Sequence, residues 1–219
     1  FEWYVKYSGL NAVELNASFY RIPYVPMVRA WAKKGKELRW SIKVHRYVTH
    51  ICRLKKPKAH EFLAKFLQVF KPLEDLEIVD FYLFQLPPSY IANGENWERI
   101  VNIVSRYELG TRAAIEWRHS SWFRDEWVDK AKEHEITVVS VDSPEFIFYA
   151  RSTPYVYVRM HGRSSWYSHY YIDEELEEVS IRIKELGGDS VYVFFNNDHD
   201  MLENARRMMK ILTKILTSI

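Results

Sequence analysis

Two glutamines, Gln68 and Gln85, and one cysteine, Cys52, stand among 219 residues. A lone thiol excludes an intramolecular disulfide and any metal site built from several thiolates. Glycine and proline are sparse, at 7 and 8 residues. No flexible linker, low-complexity segment or short-period repeat is encoded, so a single domain over residues 1–219 is expected. No apolar run reaches the ~18 residues that cross a bilayer, and no signal-peptide pattern opens the chain. The expectation is a cytoplasmic protein with no membrane partner. Net charge is only +2, so no global basic character demands nucleic acid, although a local basic patch is compatible with it. Gly-x-Gly-x-x-Gly, Walker-type and Gly-x-Ser-x-Gly segments are all missing, which removes dinucleotide, P-loop and nucleophile-elbow chemistry. Few glutamines beside plentiful Lys, Arg and Glu lean toward a thermophilic source.

What is present is a strict alternation. Apolar residues make up 47% and charged residues 27%, enough for a sizeable core under an ordinary polar surface. Short β-branched or aromatic runs over 12–17, 39–45, 78–86, 112–117, 136–141, 155–160 and 190–195 read as strands. Most are continuously apolar, as parallel strands covered on both faces must be. Amphipathic segments over 25–34, 58–70, 96–107, 124–134, 173–186 and 201–218 read as helices. In the last, apolar residues recur from Leu202 to Ile219 near a 3.6 period. Asp173 and the two glutamates after it suit a helix N-terminus, and Gly187-Gly188 a C-terminal stop. Residues 3–10 read as a helix or loop leading into the first of these strands. Alternating βα units mean a doubly wound sheet or a (β/α)8 barrel. Seven strands are visible, so a TIM-type barrel needs an eighth before Phe1. Residues 143–154 are too short for a crossover helix, which makes one βα unit irregular.

The strand ends carry the chemistry. Glu14 and Asn16, Lys43, Gln85, Glu116 with Arg118 and His119, Arg159 with His161 and Arg163, and Asn196-Asn197-Asp198 all lie where a strand stops. In an α/β barrel such residues converge on one face, whatever their separation in sequence. Tyr20, Trp166 and Tyr167 add aromatic walls. Arginines at such a place suit phosphate or carboxylate. Glu14 and Glu116 suit general acid–base work, with His161 as proton carrier. The remaining residues of the set would hold the ligand. A structural reading competes, because buried Glu14, Glu116 and Arg159 would also be expected to neutralise one another. Carboxylates and imidazoles from several strands could also hold a divalent metal, though no His-x-His or His-Glu-x-x-His spacing supports one.

The order of motifs resembles a known family. Val13-Glu-Leu-Asn-Ala-Ser-Phe-Tyr20 with Pro23 is followed by Trp31, Lys43, Thr49-His50 and Gln85-Leu-Pro-Pro88. Glu116-Trp-Arg-His-Ser-Ser-Trp122, Arg159-Met-His-Gly-Arg163 with Trp166-Tyr167, and Phe194-Phe-Asn-Asn-Asp198 with Asn204-Ala205 complete it. The set, covering nearly the whole chain, resembles the YecE-like family, domain of unknown function 72. The resemblance implies a TIM-type barrel without an established activity. It also implies a fold similar to metal-dependent sugar isomerases and to endonuclease IV, with DNA as a partner by analogy. The Gly-x-Ser-Gly-Trp-like strand that opens family members is absent here, in line with an eighth strand before Phe1. Three functions are therefore expected, in order. The first is a hydrolase or lyase acting on a small anionic, phosphate-containing ligand. The others are a non-catalytic small-ligand binder and a nucleic-acid-binding or repair-related protein.

Overall fold

A computed structural model describes residues 1–217; Ser218, expected to end the last helix, and Ile219, the last residue of its apolar spacing, lie outside the described residues. The strands are β1 (Ala12–Leu15), β2 (Arg39–Lys43), β3 (Val79–Gln85), β4 (Ala113–Glu116), β5 (Thr137–Asp142), β6 (Ile147–Phe148), β7 (Tyr155–Met160) and β8 (Ser190–Phe195). The helices are α1 (Glu2–Tyr7), α2 (Val25–Lys34), α3 (Lys58–Val69), α4 (Lys71–Glu74), α5 (Gly94–Arg106), α6 (Asp125–Glu133), α7 (Asp173–Leu186) and α8 (Met201–Thr217). Parallel pairing runs β1-β2-β3-β4-β5-β7-β8, the order of a TIM-type barrel. No backbone pairing joins β8 back to β1 among the described residues, so the barrel is nearly closed and has one seam. No described helix is long and apolar enough to cross a membrane.

Each strand sends alternate residues inward and outward. The outward set packs against the helices: Trp40, Ile42, Tyr82, Phe84, Ala113, Ile115 and Val138 on one arc, Val156, Val158, Met160 and Phe195 on the other. The inward set forms a separate cluster of Phe81, Leu83, Ala114, Val139, Val141, Tyr157 and Phe194. Two residues further along the same faces come Gln85, Glu116, Arg159 and Asn196. The period of two that fills the barrel with apolar layers thus delivers polar residues as its top layer.

Several boundaries differ from the sequence reading. The run 12–17 stops at Leu15, because Ala17–Phe19 turn into a 3-10 helix whose buried Ser18 donates to the Lys43 carbonyl at 2.7 Å. The strand expected over 39–45 stops at Lys43 and leads into a π-helical turn at Tyr47–Ile51, which periodicity did not flag. The irregular unit is confirmed. In place of a helix, residues between β5 and β7 form β6, antiparallel to β5. Helix ends follow local chemistry. Asn93 caps α5 by accepting from Asn96 N at 2.8 Å. Gly187 ends α7 at φ +64°.

Candidate active site

The top layer is an ion-pair network closed off from water. Arg159, 1% exposed, sits at its centre. It grips Glu14 with two parallel bonds, Nε to Oε2 at 3.0 Å and Nη2 to Oε1 at 2.6 Å. Its third nitrogen, Nη1, pairs with Glu116 Oε2. Glu116, fully buried, also faces Arg118 Nε at 2.6 Å and His161 Nε2 at 3.1 Å, and accepts from Gln85 Nε2 at 3.0 Å. Tyr157 Oη donates to Glu14 Oε2 at 2.6 Å, and Asn16 Nδ2 to Glu14 Oε1 at 2.9 Å. Asn16 also reaches Asn196 Oδ1 across the seam at 3.3 Å.

These contacts set the protonation states. Burial opposes ionisation of Glu14, but the Arg159 charge and its hydrogen bonds outweigh burial and hold Glu14 below the usual carboxylate range. For Glu116 burial is again opposed, by Arg118, Arg159 and His161, and its carboxyl lies well below that range. Burial pulls His161 down to about 4, against the Glu116 charge, so the imidazole is neutral near pH 7. Its Nδ1 is buried and has no hydrogen-bond partner among the described residues. Lys43 is pulled down to about 8, first by burial and then by the Arg159 charge.

Glu14, Asn16, Tyr20, Lys43, Gln85, Arg159, His161, Tyr167, Asn196 and Asp198 line one cavity of ≈ 1070 Å³. Its floor continues down the seam between β1 and β8, along Ala12, Tyr192 and Phe194 to the α8 face. Glu116 lies behind this wall, in contact with His161 and Arg159. Other residues expected at the ligand are placed elsewhere. Arg163 is held by Asp142 through Nε at 3.1 Å and Nη2 at 2.9 Å, and by Glu178 at 2.8 Å. Asn197 donates to His169 O and Asn204 Oδ1, both at 2.7 Å, fastening the strand end. His119 Nδ1 accepts from Ser121 N at 3.2 Å and caps a 3-10 turn. Trp166 and Arg118 are not among the lining residues, and the Arg118 guanidinium lies 4.7 Å over the Trp166 ring.

Sequence reasoning missed Tyr157 and Ser41, whereas Asp142 was legible as a strand-end residue. Tyr157 Oη bridges Ser41 Oγ (2.8 Å) and Glu14, linking three strands through the barrel. Its signal was available, since Tyr157 is two residues before Arg159 on the same face. Asp142 anchors Tyr149, Tyr171 and Arg163 beneath the loop after β7. Among the described residues no group of three or more His, Cys, Asp or Glu is arranged to hold a metal ion.

A family model described as "Protein of unknown function DUF72" matches residues 1–218. The chain belongs to the DUF72 family. Two solved DUF72 family proteins are similar to it throughout. One, from Enterococcus faecalis V583, is 25% identical with a TM-score of 0.83, over 95% of this chain and 92% of that one. The other, from Thermotoga maritima MSB8, is 27% identical with a TM-score of 0.83, over 98% and 88%. A xylose isomerase domain containing protein from Salmonella typhimurium LT2, 15% identical, has a TM-score of 0.65 over 97% and 91%. That last likeness concerns the barrel alone. No curated protein matches the chain. The sequence-level resemblance and the TIM-type fold it implied both stand.

Proposed function

We propose that this DUF72 chain is an enzyme of hydrolase or lyase type, acting on a small anionic, phosphate-containing ligand at the C-terminal mouth of its barrel. One observation carries the reading. Two carboxylates, Glu14 and Glu116, face three cations, Arg118, Arg159 and Lys43, and His161 is neutral. With Lys43 protonated, this buried network carries one positive charge beyond its two carboxylates, in a water-poor setting where a ligand's negative charge is worth most, while Asp198 sits at the exposed rim. Lys43 lines the cavity, and among the described residues no carboxylate stands within ion-pair distance of its Nζ. His161 is the group suited to proton transfer. Glu116 orients it through Nε2, which leaves Nδ1 as its unpartnered nitrogen. Glu14 and Glu116 stay ionised and act as electrostatic anchors.

The test screens wild type, Glu116→Gln and His161→Ala against phosphomonoesters and phosphodiesters. Turnover by wild type that drops by about 100-fold or more in His161→Ala supports the reading, as expected for loss of a general acid–base group. An active wild type whose variants keep full activity overturns the assignment of residues.

A second reading, nucleic-acid binding, draws on Tyr20 and Tyr167 at the cavity rim, 70% and 49% exposed, which suit stacking on unpaired bases. Phosphate contacts release counterions, so affinity for a single-stranded oligonucleotide should fall as salt rises. Affinity indifferent to salt rejects this alternative.

A further inference from the structure

We propose that Lys43 is a carbonyl-capturing amine, forming an imine with a small anionic aldehyde or ketone seated in the barrel mouth. The inference deepens the anionic-ligand reading above and rests on it.

The placement comes first. Lys43 ends β2 on its inward face, 8% exposed, and lines the cavity beside Glu14, Gln85 and Arg159. Its Nζ stands 4.4 Å over the ring of Phe19. Lysines that serve structure at such depth pair with a carboxylate, because a buried ammonium needs a counter-charge. Here Glu14 and Glu116 are already engaged by Arg159 and Arg118. The charged and titratable groups that bear most on Lys43 come from several strands and turns. Glu14 comes from β1, His50 from the turn after β2, Glu116 from β4, Arg118 from just beyond it, and Arg159 from β7. His50 is pulled down to about 4 by burial and then by Lys43 itself, so it adds no charge near pH 7.

With two arginines balancing two carboxylates, the network is neutral when Lys43 is neutral. The ammonium form has the face of Phe19 but no carboxylate of its own. Lys43 is lowered to about 8 mainly by burial, so about a tenth of it is free amine at pH 7, against well under a thousandth for an ordinary lysine. A desolvated amine of this kind attacks carbonyl carbon. In the step, the nitrogen lone pair forms the C–N bond and the carbonyl π pair moves to oxygen, which takes a proton. The carbinolamine then loses its hydroxyl as water, leaving a protonated imine. That iminium restores the positive charge the network does not compensate. A phosphate or carboxylate on the same ligand supplies the missing negative charge, so the captured carbonyl compound is anionic.

The test uses the intact chain with limiting glycolaldehyde phosphate and sodium cyanoborohydride at pH 7, which reduces the imine to a stable secondary amine. Labelled lysines are mapped by peptide mass. Lys43 should label at least about tenfold faster than any other lysine, following its larger free-amine fraction. Lys43→Met, with its fold checked by circular dichroism, should lose that label alone. Inorganic phosphate binding is measured in parallel by calorimetry. Phosphate binding with Lys43 labelled no faster than surface lysines overturns the imine and leaves the anion site standing. Lys43 labelled equally fast by uncharged glycolaldehyde, without phosphate binding, keeps the amine and overturns the anionic ligand. Neither labelling nor binding overturns both.

Discussion

Arg159 shows how one side chain organises the mouth of the barrel. Its planar fork satisfies Glu14 with two bonds and still reaches Glu116, which a lysine could not do. His161 beside it is held neutral by burial, and this has a consequence for stability. In the unfolded chain an imidazole takes up its proton near pH 6.5, whereas folded His161 resists until about 4. A depressed folded value means the unfolded state binds more protons, so stability rises with pH across that window and is lost as pH falls through it. His50, also lowered to about 4 and chiefly by burial, acts with the same sign. Urea unfolding of wild type between pH 7 and pH 4 should show a steep decline. His161→Gln keeps a donor for Glu116 and should remove about 2–3 kcal/mol of that decline. An unchanged slope in the variant would mean that His161 is protonated in the native state.

At the scale of elements, the loop between β7 and α7 is pinned by backbone geometry. Gly162 follows β7 at φ +107°, and a Cβ there would lie 2.4 Å from the Ser165 carbonyl oxygen. Gly187, at φ +64°, closes α7 with nothing within 4 Å of an added Cβ. The two substitutions separate strain from collision. Gly187→Ala should cost about 1 kcal/mol, the backbone penalty alone. Gly162→Ala should cost about 3 kcal/mol or more, because the loop must also move. It should displace Tyr167, whose amide donates to the His161 carbonyl at 2.8 Å. Thermal unfolding of both variants, with Tyr167 followed by fluorescence quenching, measures the difference. Equal losses would show that the loop yields freely and that Gly162 matters only for its φ.

For the whole molecule the seam is the weak line. Along the order β1-β2-β3-β4-β5-β7-β8 neighbouring strands share parallel ladders, while among the described residues β1 and β8 face each other without one. Across the seam Asn16 Nδ2 donates to Asn196 Oδ1, a bond between side chains that leaves the seam-side backbone without a ladder partner. Amide exchange followed by mass spectrometry should therefore show weaker protection in β1 and β8 than in β3, β4 and β5, which are paired on both sides. Protection in β1 equal to that in β4 would contradict an open seam. A ligand spanning Glu14, Lys43 and Asn196 would be expected to raise protection on both edges together.

The βα alternation, the irregular unit after β5 and the convergence of strand-end residues were all legible in the sequence. Each follows from local period: two along strands, 3.6 along helices, and a connection too short for a helix. Even the polar top layer was written there, as Leu83-x-Gln85, Ala114-x-Glu116 and Tyr157-x-Arg159. Tertiary structure alone decided which polar groups are spent on one another. Arg159 and Arg163, four residues apart, look equivalent in sequence, yet Arg163 is consumed by Asp142 and Glu178 while Arg159 binds Glu14 and Glu116. Lys43 likewise reads as one strand-end cation among several. Its lack of a carboxylate partner among the described residues depends on where the guanidinium groups of β7 and the β4 end come to rest. Local pattern determines which face a side chain takes. Charge pairing across the barrel is a three-dimensional competition between strands far apart in sequence, and only the closed geometry settles it.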